Sequence, residues 1–315
     1  MLASELKLLR GLRTASRYSI IFGILVSLGF FAFGTFPLEW QVVLALVALT
    51  IGIPHGAVDH LVTVPKFASL KMAFFLLGYL AVVGLAIAFI LNFNLLGFQI
   101  TVLLSAIHFG IGDAAFISEI DRRNGTTTSF SKPTYAFAAG FTPVLIPLVS
   151  PQSAEALTRV NPAIVDWAGG LAGILLVGML VAAVIASSIM LITKRWQEAV
   201  DLGLLLLLVL TAPPLVAFAF YFGLWHAVRH TGRLSLVLES AQKKHIAGNS
   251  LAAFGRAFLA GFPALALVLG FTLVLAISRS VSLTQEFLWL LLVVIWALTV
   301  PHMALTARLD LRALR

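Results

Sequence analysis

The chain has 315 residues, of which 60% are hydrophobic and only 11% charged, with a mean hydropathy of +1.04; such a chain cannot cover itself with polar surface and belongs in a lipid bilayer. It contains no cysteine, which excludes disulfides, iron–sulfur clusters and thiolate-held metals and leaves imidazole, carboxylate and backbone oxygen to bind any ion. The net charge of +8 does not point to nucleic acid, because the basic residues stand in short segments between apolar runs rather than on one solvated face with aromatic rings for stacking.

A hydrocarbon core about 30 Å thick needs roughly 20 apolar helical residues per crossing, and on that ruler the sequence predicts an all-α, polytopic transmembrane bundle of about ten spans. The first, near 18–35, follows the basic residues Lys7, Arg10, Arg13 and Arg17 with no small-residue cleavage site after it, and is read as a retained helix rather than a signal peptide. The second, near 40–55, ends in Pro54-His55-Gly56-Ala57-Val58-Asp59-His60. The third lies near 72–92, and the fourth, near 97–117, carries His108-Phe109-Gly110-Ile111-Gly112-Asp113. The fifth and sixth fall near 134–150 and 168–193. The seventh, 197–212, is short and runs into Pro213-Pro214, which remove two backbone donors and end or kink a helix there; it is either a full crossing or a re-entrant half-span. The eighth, 214–235, carries Trp225-His226-Ala227-Val228-Arg229-His230. The ninth lies near 254–278, and the tenth, 285–306, ends in Val300-Pro301-His302-Met303.

Charge arbitrates the parity. With ten crossings and a cytoplasmic N-terminus, every one of the 21 basic residues except Arg159 and Arg279 falls in an inside segment, Arg229 and Arg233 included. Omitting the seventh crossing would move most of the later ones outside. The expectation is therefore a single integral domain, 1–315, of the cell inner (cytoplasmic) membrane, multi-pass, with both termini in the cytoplasm.

The seven histidines are the informative residues. Spans two, four, eight and ten all run inward, so His55, His108, His226, His230 and His302 come to a common depth, while His245, in a basic loop, stands apart. A lone histidine on an apolar face is more often structural than a ligand. Several at one level of a membrane bundle mark a site or a pathway, since ionisable groups are costly there. His226 and His230, at i and i+4, share a helix face and can grip one ion. Imidazole-only ligation favours iron or zinc. A zinc hydrolase of the HExxH type is disfavoured because Ala227 stands where its glutamate would be, and the histidines are too few for a di-iron desaturase, which leaves a mononuclear centre. Asp59 and Asp113 are candidates to orient a ligating histidine through its second nitrogen, or are simply polar residues at helix ends. Tyr221, Trp225 and Phe109 line a substrate path or face the core.

Taken together, Pro54–His60, His108–Asp113, Trp225–His230 and Pro301–Met303 resemble the Brp/Blh family of bacterial and archaeal membrane β-carotene cleavage enzymes, over nearly the whole chain. The resemblance implies an iron(II)-dependent dioxygenase that takes β-carotene and dioxygen as substrates and splits the central 15,15′ double bond into two all-trans-retinal. It implies Fe(II) held by His55, His108, His226 and His230 and a functional association with a retinal-binding opsin; Asp59, His60, Asp113, Tyr221, Trp225 and His302 are candidates for a surrounding layer that supports these ligands, the individual roles of His60 and His302 being unspecified. The chain itself is a poor opsin, because its lysines lie in or beside loops. The rival from another class is a transporter whose histidines relay protons or bind a metal ion as cargo; it predicts acidic residues within several spans, and Asp201 is the one further candidate.

Overall fold

The computed structural model describes residues 1–34, 36–58, 61–62, 70–280 and 286–315. Among them there is no strand; the chain is a bundle of helices. In order, these are α1 (Leu2–Phe33), α2 (Leu38–Gly56), α3 (Leu70–Asn92), α4 (Asn94–Asn124), α5 (Lys132–Val149), α6 (Ser153–Val160), α7 (Ala172–Ile192) and α8 (Trp196–Thr211). The next, α9, starts as an α-turn over Pro214–Phe218, widens into a π-helix over Ala219–His226 and returns to α-helix over Ala227–Leu234. Then come α10 (Glu239–Ile246), α11 (Ser250–Ala260), α12 (Phe262–Ser278) and α13 (Phe287–Leu314).

A helix stands at each of the ten predicted positions, but they are not equal as spans. Among the described residues, seven helical stretches are long and apolar enough to cross a bilayer, α11 and α12 counting as one (Ser250–Ser278), and an eighth crossing results if α5 and α6, bent by 88°, count as one. The remaining two predicted spans correspond to α8 and α9. At 16 residues and about 1.5 Å per residue, α8 falls short of the hydrocarbon thickness, and α9 is interrupted by its π section. The break between them lies where the prolines put it: Ala212 is extended and Pro214 opens α9, where its missing N–H costs nothing.

Phe31, Phe33, Leu85 and Ile192 are among a large set of exposed apolar side chains, a surface suited to lipid rather than water. The most enclosed of the long apolar helices is α4, with 67% of its apolar stretch buried, against 11% for α3. The bundle is therefore built around α4. It approaches α5 backbone to backbone: a Cβ on Gly110 would lie 1.9 Å from the Ala136 carbonyl oxygen, and one on Gly140 2.0 Å from that of Ala106. Small residues let membrane helices pack this closely when no hydrophobic force drives them together.

Polar contacts gather one set of helix ends. Arg123 Nε donates to Glu5 (2.8 Å), Arg122 donates to the backbone carbonyl of Ala313 (2.8 Å), Arg195 to Asp121 (2.7 Å) and Lys132 to the Leu314 carbonyl. The start of α1, the end of α4, the starts of α5 and α8 and the end of α13 thus share one pole of the bundle, the same ends that the charge pattern assigns to one side.

Gly140→Val should force α4 and α5 apart and destabilise the protein by about 3 kcal/mol or more, beyond the range of ordinary core overpacking, whereas Gly84→Ala, where a Cβ meets nothing within 4 Å, should be neutral; thermal unfolding in detergent reads the difference.

Candidate metal centre

Five histidines from four helices meet inside the bundle. His55 sits at the C-terminal end of α2, just after Pro54; His108 lies in the enclosed middle of α4; His226 closes the π section of α9 and His230 follows in its next turn; His302 follows Pro301 in α13. None is more than 6% exposed. The ring of His55 is 5.3 Å from that of His226, 5.2 Å from His230 and 5.4 Å from His302, centroid to centroid. His108 is 5.2 Å from His226, 6.0 Å from His230 and 5.1 Å from His302. The i, i+4 pair stacks at 5.8 Å with planes 23° apart.

Donor atoms of His55, His108 and His302 all lie within 4.8 Å of one another. Within this group Nδ1 of His55, Nε2 of His108, Nε2 of His226 and both ring nitrogens of His230 are buried without a hydrogen-bond partner. A buried polar atom left so costs about 1–3 kcal/mol; a bound cation would accept one lone pair from each neutral imidazole that reaches it, and among the described residues the donor atoms in mutual reach are those of His55, His108 and His302. The donors are imidazole nitrogens, with no carboxylate in the group among the described residues, a set suited to iron, zinc, copper or nickel and ill suited to magnesium or calcium.

The walls are aromatic. Phe109 lies 4.2 Å from the His226 ring, Phe222 lies 5.9 Å from His55 and stacks on His226, and Tyr221 packs edge-on to Phe109 at 5.7 Å while its hydroxyl donates to the Ala139 carbonyl (2.8 Å). Gly52 makes room for Phe222: a Cβ there would sit 2.1 Å from the ring. Trp225 is fully buried and holds the Arg229 guanidinium over its ring at 3.3 Å.

Asp113 does not turn toward His108. It accepts from the Tyr135 hydroxyl (2.9 Å) and from Arg229 Nη1 (2.7 Å). The spacing explains this: five residues at about 100° each bring its side chain roughly 140° around the helix from His108. Asp59 and His60 lie outside the described residues.

Sequence reasoning missed a layer of buried charge beside the histidines. Arg229 and Arg233, assigned to a loop by the charge count, are fully enclosed on α9. Arg229 pairs with Asp113 and lies 3.8 Å from Asp201; Asp201 also receives Arg13 (2.8 Å) and Arg17 (2.6 Å); Arg13 reaches Glu198 (2.7 Å), and Arg233 pairs with Asp310 (2.5 Å). Asp201, an acid within a predicted span, was the signal that partners had to exist. His245 is likewise no loop residue. It is buried on α10 within hydrogen-bond distance of Ser4 Oγ (3.2 Å) and Ser235 Oγ (3.1 Å), and burial lowers its pKa from the ordinary 6.5.

A sequence-family model described as "Beta-carotene 15,15'-dioxygenase" matches residues 46–310, which include all five clustered histidines. A "Probable beta-carotene 15,15'-dioxygenase Blh" of Halobacterium salinarum is 27% identical over 297 residues, covering 84% of this chain and 82% of the relative. A "Beta-carotene 15,15'-dioxygenase" of an uncultured marine bacterium is 28% identical over 283 residues, covering 86% of this chain and 94% of the relative. No solved structure matches.

Two outcomes follow from the charge layer and from His245. Arg229→Leu leaves Asp113 buried without its cation and should cost about 3–5 kcal/mol, while the double variant Arg229→Met with Asp113→Leu should recover a large part of that loss, as denaturation in detergent would show. Because His245 is harder to protonate in the folded state, its contribution to stability is full above about pH 6.5 and falls as the pH drops below that value. Unfolding measured from about pH 7.5 to about pH 5 should fall less steeply in His245→Gln than in the wild type.

Proposed function

The chain belongs to the beta-carotene 15,15'-dioxygenase family, and on that premise we propose that it cleaves β-carotene oxidatively at the central double bond, using one iron(II) held by His55, His108, His226 and His230. In the balanced reaction the C15=C15′ and O–O bonds break and two C=O bonds form, giving two molecules of all-trans-retinal. The observation that carries this reading is a cluster of buried imidazoles inside a lipid-facing bundle, with the rings of His55 and His108 each 5.2–6.0 Å from those of His226 and His230.

When bound, the metal supplies the redox chemistry with dioxygen; the chain's own residues supply binding and exclusion. β-Carotene is a rigid hydrocarbon dissolved in the bilayer, so a site inside the membrane meets it without passage through water. Phe109, Phe222 and Tyr221, packed against His226 and one another, offer flat apolar faces to a conjugated chain and leave water no polar surface to follow. The Tyr221 hydroxyl is committed to the Ala139 carbonyl, so this ring serves by shape rather than as an acid. Ligation requires neutral imidazole, and among the described residues the donor group holds no carboxylate to stabilise an imidazolium.

The transporter reading is less well supported. The acids inside the bundle that a relay would need, Asp113, Asp201 and Asp310, are each bound to arginine, and a carboxylate held by a guanidinium is a poor proton carrier. The basic helix ends gather at one pole, and by the positive-inside rule this supports a cytoplasmic side for that pole and for both termini in a single-domain protein of the cell membrane.

Expressed in cells that make β-carotene, the chain should bleach the orange colour and yield retinal. Alanine at His55, His108, His226 or His230 should abolish iron retention and retinal formation together while the protein still inserts. Persistent colour with iron bound to the wild type, or full activity in two of the four variants, would overturn the assignment.

A further inference from the structure

We propose that His302 is a ligand of the same metal, so that α13 joins α2, α4 and α9 in enclosing it with five histidines. The proposal rests on the metal-centre reading above and extends it to a residue that neither the sequence motifs nor the resemblance assigns.

Three observations carry it. First, donor atoms of His302, His55 and His108 lie within 4.8 Å of one another. Two imidazoles on one ion, with metal–nitrogen distances of about 2.0–2.1 Å, stand at most about 4.2 Å apart, so well under an ångström of closure brings this trio onto a common centre. Two of the four histidines in the resemblance-derived set belong to that trio; the third place is taken by His302. Second, the His302 ring touches the cluster on three sides, at 5.4 Å from His55, 5.1 Å from His108 and 5.6 Å from His230.

Third, the protein holds that ring in place. Pro301, inside α13, has no N–H, so the helix loses one backbone bond immediately before the histidine and can bend there. A Cβ on Gly56, at the end of α2, would be in ordinary contact with the ring, 3.6 Å from Nδ1, so the glycine leaves open space between α2 and the imidazole. His302 thus faces the end of the same helix that delivers His55. The ring is only 4% exposed, so what it meets is the cluster and not water.

The full-length protein in detergent, loaded with cobalt(II) as an optical probe under anaerobic conditions, tests this. Loss of a ligand changes the ligand-field spectrum, whereas loss of a neighbour that only orients ligands lowers affinity, by about 10–100-fold, without removing a donor. His302→Ala should weaken cobalt binding by at least tenfold and alter the band positions and intensities; in His302→Gly, added imidazole should restore the wild-type spectrum. Folded variants that keep the wild-type spectrum, whatever their affinity, would overturn the proposal while leaving the metal centre intact. A wild type that binds neither cobalt nor iron would overturn the centre itself and His302 with it. Should the variants fail to fold, a map of the metal-loaded wild type decides: a His302 nitrogen at bonding distance sustains the assignment, and one beyond about 3 Å refutes it.

Discussion

The constraint on which the architecture turns is the burial of imidazole nitrogens where water cannot reach them. At least five ring nitrogens in the cluster have no hydrogen-bond partner, and each carries a desolvation cost of about 1–3 kcal/mol. Apolar side chains would fill the same space without that cost. The arrangement persists only because the helices that bring the histidines together are fixed by other contacts: α4 against α5 through Gly110 and Gly140, α2 against α9 through Gly52 and Phe222. The bundle holds an energetically unfavourable constellation ready, and a cation that accepts the free lone pairs converts that cost into affinity. Such preorganisation is how a protein makes a metal site selective for ligand geometry rather than merely for charge.

The layer of ion pairs beside the histidines serves the same end by different physics. Arg13, Arg17 and Arg229 converge on Asp201, and Arg229 also holds Asp113, tying α1, α4, α8 and α9 at one level. Replacing buried ion pairs by apolar residues is often neutral or stabilising, while breaking one is expensive. Their value here is therefore register: a slip of any one of these helices strands a charge in a low-dielectric interior. Arg229 is also the neighbour of His230 and lies on the ring of Trp225, the neighbour of His226. A shift in the charge layer cannot occur without moving both histidines of α9.

How much of this could be read beforehand differs residue by residue. His55, His108, His226 and His230 were legible because helical direction, fixed by the charge pattern, converts sequence position into depth. His302 shares that depth, but depth does not say which way a side chain faces, and that its ring faces the end of α2 near Gly56 is a matter of tertiary packing. The charge layer was misread for a related reason. Counting basic residues by side treats each as solvated, and Arg229 and Arg233 obey the count although they are sealed inside α9 with Asp113 and Asp310 as partners. Asp113 was misassigned because separation along the chain was weighed without the angular position it implies on a helix.

The π section of α9 had no sequence signal, yet it shapes the site. Over Ala219–His226 the helix is wider than an α-helix, a geometry of poorer intrinsic stability that recurs at functional sites. Here it holds two demands that a regular helix would set against each other. Tyr221 and Trp225 must bury polar tips or charge partners on the protein side, at the Ala139 carbonyl and the Arg229 guanidinium, while Phe222 and His226 face the cluster and stack on each other at 20°. Widening the turn ahead of His226 changes the angle between these sets, and the return to α-helix at Ala227 restores the spacing that stacks His226 with His230. The paired prolines at the start of α9 belong to the same logic. By ending α8 and beginning a new helix, they free α9 from the register of its predecessor, so its rotation can be set by the histidines and by Arg229 rather than by the helix before it.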